Sequence, residues 1–244
     1  MKGTLEKITA FNPRPQIEPV RLDNGRFCYV IDDALLDAEA LVALAVELRD
    51  RFSPVDSSAY PGICLEMPAP VALRLNGFFV EHLRREFDAR RTLRVRCRLS
   101  MVTLPPHALR PFQSICHADG QHIEATQSIQ ACVAYLFRDA SLGGTSFYEP
   151  ARAPQETAEL FHDTHRLSAS EFTRKYAIAP GYIGASNDWF TRVGGVAAKW
   201  NRIVFYDGSM LHSGDIPAPE KLGADPASGR LTLNGFFTSR RRAA

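Results

Sequence analysis

Apolar and polar positions alternate in two rhythms along this chain, and the rhythm changes near Leu93. Before that point, "RFCYVIDDALL" reads as a short strand running into a turn. It is followed by "DAEALVALAVELRDRF", with apolar residues at helical spacing and Asp37 placed to cap the first turn. Residues 53–70 are rich in Pro, Ser and Gly and read as loop. "PVALRLNGFFVEHLRREFDARR" then carries a second helical pattern, which Asn76 and Gly77 are expected to interrupt.

Beyond Leu93 the period shortens. "LRVRCRLSMVTL", "SIQACVAYLFR", "GTSFY", "NRIVFYDG" and "GRLTLNGFFTS" are short segments rich in β-branched and aromatic residues, several of them alternating, separated by Gly, Pro or Asp-Gly turns. A helical first part followed by serial short strands predicts an α+β, mainly β chain, with helices packed on an antiparallel sandwich or barrel. A single domain is expected. Residues 1–92 supply a strand and supporting helices, 93–150 and 200–240 form the β core, and 151–199 are inserted. The insertion carries one helical stretch, "SASEFTRKYA", and the aromatic residues Tyr182, Trp189 and Phe190. It reads as a lid, because long structureless loops are uncommon in compact domains. Trp189 and Phe190 are either substrate-facing aromatics of that lid or the lid's own small core.

Composition narrows the class. A hydrophobic fraction of 45% over 244 residues is enough for a substantial core, and a formal charge of +2 creates no global field for nucleic acid or a membrane surface. Basic residues are nonetheless uneven: Arg84, Arg85, Arg90, Arg91, Arg94, Arg96 and Arg98 crowd one region, and Arg240, Arg241 and Arg242 lie at the end. These read first as solvated faces. Five cysteines without a C-x-x-C pair fit neither a disulfide framework nor a structural zinc site, so a reducing compartment, the cytoplasm, is expected. Neither an export signal nor a run of membrane-spanning length is seen.

The chemistry lies in "FQSICHADGQHIE" and "NRIVFYDGSMLHSGDIP". His117 and Asp119 stand two apart on an extended segment, which turns both to one side while Ala118 faces away, and His212 follows a later strand and turn. Two imidazoles and one carboxylate can hold one face of an octahedral Fe(II) and leave the other positions for a chelating cosubstrate and O2. In "GRLTLNGFF", the even positions Arg230, Thr232 and Asn234 share a face. If that face is buried, Arg230 requires an anion, and a guanidinium with a neighbouring hydroxyl suits the distal carboxylate of a dicarboxylic acid. The alternative for Arg230 is a structural ion pair with Asp207 or Asp215. Arg98 or Tyr135 can also face the interior, and periodicity does not choose between their faces. His107, His122, His162 and His165 read as solvated histidines, Cys116 as packing, and Gly143-Gly144 as a turn that needs positive φ.

Taken together, "CHADG", "YLF...GGTSFYEP" read as a hairpin, "VFYDGSMLHSG" and "GRLTLNGFF" resemble the iron(II)- and 2-oxoglutarate-dependent dioxygenases, in particular their prolyl-hydroxylase-like branch, over residues 93–239. The resemblance implies a double-stranded β-helix, or jelly-roll, core. It implies Fe(II) on His117, Asp119 and His212, and 2-oxoglutarate on Arg230 with Thr232 as its neighbour. It further implies O2-dependent conversion of 2-oxoglutarate to succinate and CO2, coupled to hydroxylation of a small-molecule or peptide substrate. Asp119 leaves no open halide position of the kind the related halogenases use. An Arg anchor where collagen-type enzymes carry Lys means that a prolyl substrate does not follow. The long interval from Asp119 to His212 points to an idiosyncratic substrate. Base-repair relatives carry a second Arg six positions after the anchor; Phe236 stands there, which argues against nucleic acid. A metal site without catalysis and a zinc hydrolase are the competing readings.

Overall fold

The computed structural model describes residues 9–55, 59–120 and 123–242. Helix α1, Ala38–Glu47, begins where Asp37 accepts a hydrogen bond from the Ala40 amide at 2.9 Å, and it buries Leu41 and Ala45. Helix α2, Ala69–Phe78, runs straight through Asn76 and Gly77, contrary to the expected break. A β-carbon on Gly77 would meet nothing within 4 Å, so the glycine sits on an open side and imposes no bend. The irregularity comes one turn later. A widened π turn over Phe79–Leu83 and a tight turn over Arg84–Glu86 let Phe79 and Leu83 both face the sheet and become fully buried.

Eleven strands are assigned among the described residues: β1 Glu18–Arg21, β2 Phe27–Ile31, β3 Ser53–Pro54, β4 Gly62–Glu66, β5 Arg91–Val102, β6 Gln127–Tyr135, β7 Thr145–Pro150, β8 Phe190–Val196, β9 Arg202–Asp207, β10 Leu211–Gly214 and β11 Leu231–Arg240. They form one sheet in the order β1-β2-β9-β6-β11-β5-β4-β3 and a smaller one in the order β10-β7-β8, with every pairing antiparallel. An isolated bridge between His117 and His212 adds the segment before β6 to the β10 edge of the smaller sheet. From β5 onward the chain passes repeatedly between the two sheets, which is the winding of a double-stranded β-helix. The stretch "YLF...GGTSFYEP" is therefore not a hairpin, because β6 and β7 lie in different sheets. Gly143, at φ 85°, carries the chain across, and a β-carbon there would lie 1.6 Å from the Asp215 carbonyl oxygen.

The period-2 pattern assigns the two faces of the large sheet. Cys97, Leu99, Met101, Leu233 and Phe237 pack with Leu41, Leu75 and Phe79 of the helical layer, where the Phe79 and Phe237 rings stack at 4.4 Å. Gly235 brings helix and sheet close together, since a β-carbon would sit 2.5 Å from Leu75 Cδ2. The opposite face of β11 turns Arg230, Thr232, Asn234 and Phe236 into the space between the sheets.

Between β7 and β8 lie helices α3, Pro154–Asp163, and α4, Ala169–Tyr176. Leu160, Phe172, Tyr176 and Phe190 form a separate core there, with Trp189 packed against it and its indole N–H donated to the Tyr176 carbonyl at 2.9 Å. Of the two roles left open for Trp189 and Phe190, the structure thus places both in this local core. Residues 190–196, within the expected insertion, form a strand of the smaller sheet. All five cysteines are buried thiols. No helix among the described residues is long and apolar enough to cross a membrane.

Asn201 joins the N-terminal region to the barrel. Its φ is 58°, and its side-chain amide accepts from the Leu35 amide and donates to the Leu35 carbonyl, both at 2.9 Å and buried. Asn201→Ala is expected to destabilise the fold by about 2–4 kcal/mol, through two lost buried hydrogen bonds and a strained backbone. Asn201→Gly should be milder by about 1 kcal/mol, because only the bonds are lost. Urea unfolding midpoints of the two variants would check that order.

Candidate metal centre

Backbone pairing creates the site. The His117 amide donates to the His212 carbonyl at 2.9 Å and the His212 amide returns the bond at 2.8 Å, setting the two rings 4.5 Å apart between centroids. The next rung is the Asp119 amide, which donates to the Gly208 carbonyl at 2.7 Å. These contacts bring one ligand atom each from His117, Asp119 and His212 within 4.8 Å of one another, and among the described residues no other group of three or more His, Cys, Asp or Glu side chains is arranged to hold an ion.

The three side chains are prepared for a cation. His212 Nδ1 lies 2.9 Å from the Met210 carbonyl, so it carries the proton and donates it, and the Nε2 lone pair is left for the cavity. Asp119 Oδ2 is buried without a hydrogen-bond partner and sits 3.6 Å from His212 Nε2. Burial raises the Asp119 carboxyl above its ordinary range, against smaller opposing effects of His212 and Arg98. It holds the His117 imidazole well below its ordinary value, with His212 and Arg98 acting in the same direction. The His117 imidazole, the Nε2 of His212 and an unsatisfied buried carboxylate oxygen are a donor set that fits a divalent cation, which restores the charge balance that burial of Asp119 disturbs.

Arg230 lies 3% exposed and lines the same cavity, whose volume is about 250 Å³. Its Nε donates to the Leu142 and Gly143 carbonyls at 2.9 and 3.2 Å, and its Nη2 to the Gly144 carbonyl at 2.8 Å. The ion pairs weighed from sequence do not form, since Asp207 pairs with Arg26 and Asp215 with Arg192. Among the described residues no carboxylate lies within ion-pair distance of Arg230. Its positive charge is thus oriented by neutral dipoles and left uncompensated. Gly143 and Gly144 act here through their carbonyls as well as through the turn. Thr232 lines the cavity but does not bond Arg230; its hydroxyl donates to the Ser100 carbonyl at 3.3 Å and interacts with Tyr60.

Of the two interior candidates, Arg98 lines the cavity, whereas Tyr135 is fully buried and shares a 2.8 Å hydrogen bond with Thr145. Tyr182, from the segment between α4 and β8, reaches the cavity wall and donates to the Leu104 carbonyl at 2.6 Å. Sequence reasoning missed Tyr60 and Tyr206. Burial pushes the Tyr60 hydroxyl up to about 12, and the Tyr206 ring rests 4.7 Å from that of His212. Tyr60 sits in a loop without periodicity, while Tyr206 was visible only as an alternate position of β9. His165 stacks on Phe112 and His162 lies 3.5 Å from Asp163, both away from the triad. Cys116 is packed with Ile115 and Tyr148. His122 falls outside the described residues.

Asp119→Asn separates stability from metal binding. Removing an unpaired buried charge is expected to raise the unfolding temperature of the metal-free protein by about 2–6 °C. Added Ni(II) should then raise the midpoint of the parent protein and leave that of the variant unchanged. Differential scanning calorimetry of both, with and without Ni(II), makes the comparison.

No curated protein matches the chain in sequence. Among solved structures, it is similar to HygX from Streptomyces hygroscopicus with nickel and 2-oxoglutarate bound, at 11% identity over 87% of this chain and 82% of that one, with a TM-score of 0.46. A prolyl-4-hydroxylase from Pseudomonas putida matches at 15% identity over 99% of both chains, with a TM-score of 0.41. SnoN, a non-heme α-ketoglutarate-dependent epimerase from nogalamycin biosynthesis, matches at 14% identity over 99% of this chain and 87% of that one, with a TM-score of 0.46. One family model covers nearly the whole sequence, residues 13–237, and by that match the chain belongs to a family of unknown function, DUF6445.

Proposed function

We propose that this protein is an iron(II)- and 2-oxoglutarate-dependent oxygenase that hydroxylates an unactivated C–H bond of a small molecule, an amino acid or a peptide-like metabolite. One observation carries the reading: a His-Asp-His triad and a buried guanidinium with no carboxylate partner among the described residues share a single cavity. A zinc hydrolase would use the triad and leave Arg230 without a purpose. A dicarboxylate cosubstrate uses both.

His117, Asp119 and His212 would hold the iron. When bound, iron with 2-oxoglutarate and O2 supplies the oxidising power for the C–H bond, and the cosubstrate leaves as succinate and CO2. The chain's own residues orient and shield. Met210 fixes the His212 tautomer through its carbonyl. The carbonyls of residues 142–144 aim Arg230, whose free donors receive the distal carboxylate. Tyr60, Tyr182, Val102, Val133 and Ile216 wall the cavity, excluding bulk water and strengthening the charge contacts inside it.

The test is succinate release from 2-oxoglutarate with Fe(II), ascorbate and a panel of amino acids and short peptides. Turnover should depend on Fe(II) and fall at least about 100-fold in Arg230→Met, the scale expected when one partner of a buried charged contact is removed. Succinate release that ignores both Fe(II) and Arg230 would contradict the proposal.

A further inference from the structure

The charge of the cavity is not balanced by the groups assigned so far. Its charged lining residues, among those described, are Arg98, Asp119 and Arg230. With a dication on the triad, Asp119 cancels one of its two charges and Arg230 adds one. A dianionic cosubstrate then neutralises what remains. Arg98 is left as one net positive charge next to the metal.

Among the described residues no carboxylate forms an ion pair with it. Arg98 lies on β5 opposite Asn234, on the cavity face of the sheet. Its Nε is buried without a hydrogen-bond partner, and so is Asn234 Oδ1. Glu66, its neighbour across the strand pair, is engaged by Arg96 at 2.7 Å. Asp119 is close enough to act on it through space but forms no ion pair with it. Instead the guanidinium rests between two rings, 5.4 Å from the Tyr60 centroid and 5.2 Å from that of Phe236. Such rings hold a guanidinium in place and keep water from its faces, while leaving its in-plane donors available.

The surroundings extend the same sign. A second cleft, with a volume of about 320 Å³, adjoins Asp119 and Gly120 and is bordered by Arg94, Arg96 and Arg98 along one face of β5. Arg94 makes no ion pair among the described residues. Arg94, Arg96 and Arg98, three members of the arginine cluster that reads from sequence as a solvated face, thus border the space next to Asp119.

We propose that Arg98 anchors the substrate through an anionic group, a carboxylate or a phosphate, and that the substrate is a small organic acid approaching along the Arg94–Arg98 face. This rests on the oxygenase reading for the role of the metal. The anion neutralises the remaining charge, and its substituent lies against Phe236 and Tyr60.

Fluorine-19 NMR of the full chain loaded with Zn(II) or Ni(II), with and without 2-oxoglutarate, tests it with three probes: 4-fluorobenzoate, 4-fluorophenyl phosphate and the neutral 4-fluorobenzamide. Both acids, or one of them, should bind more tightly than the amide and be broadened by Ni(II) relative to Zn(II). The tighter acid identifies which anion the site takes. Arg98→Met should weaken the acids by about tenfold or more and change 2-oxoglutarate affinity by less than about threefold. Arg98→Lys should fall between, retaining the charge but not the planar fork; it also decides the matter if Arg98→Met does not fold. Equal binding of acids and amide, acid affinity unchanged in both variants, or a loss of 2-oxoglutarate affinity in Arg98→Met matching that of Arg230→Met would overturn the proposal. If the parent protein binds no 2-oxoglutarate, the oxygenase reading fails, while the Arg98 dependence measured with metal alone still decides the anion site.

Discussion

Two reciprocal backbone hydrogen bonds between His117 and His212 hold together parts of the chain that are far apart in sequence, and the candidate centre depends on them. Side chains of adjacent antiparallel partners necessarily fall on the same side, so the bridge places both imidazoles over one cavity before any ion arrives. The following rung, from Asp119 to Gly208, adds the carboxylate. Gly208 leaves room for this, since a β-carbon there would approach Asp119 Cβ to 3.1 Å and press on it. The ligand set is thus built by sheet register more than by any contact among the side chains themselves.

Charge gives that geometry its direction. Burial penalises Asp119 as a carboxylate and keeps His117 neutral, conditions under which a dication is the stabilising guest. In the same cavity, three consecutive carbonyls orient Arg230 without neutralising it. A cation without a carboxylate partner among the described residues and an unsatisfied carboxylate in one small space are costly for the protein, and buried groups of this kind mark function more often than stability.

Much of this was legible in the sequence. The strand segments after Leu93, the shared side of His117 and Asp119, and the inward face of Arg230, Thr232 and Asn234 follow from period-2 alternation, whereas His212 was singled out by ligand chemistry and by the family resemblance. What alternation cannot give is which sheet a strand joins. The segment around Gly143 and Gly144 therefore read as a hairpin, although it crosses between sheets. Nor does a local glycine signal reveal that Gly77 faces open space, or that the helix slips its register only at Phe79. Tyr60 reaches the cavity from a loop with no period, and Arg98 could be assigned a face only once β5 had a partner on each side. Trp189 and Phe190 turned out to serve a local core because α3 and α4 need an apolar base of their own.

The most direct measurement is an anaerobic titration of the metal-free protein with Fe(II) and then 2-oxoglutarate, followed by visible absorption. The account predicts a weak metal-to-cosubstrate charge-transfer band that forms in the parent protein, is absent from His212→Ala, and requires far more 2-oxoglutarate in Arg230→Ala. Iron-loaded protein that gives no band at any 2-oxoglutarate concentration, or a band indifferent to both substitutions, would contradict it.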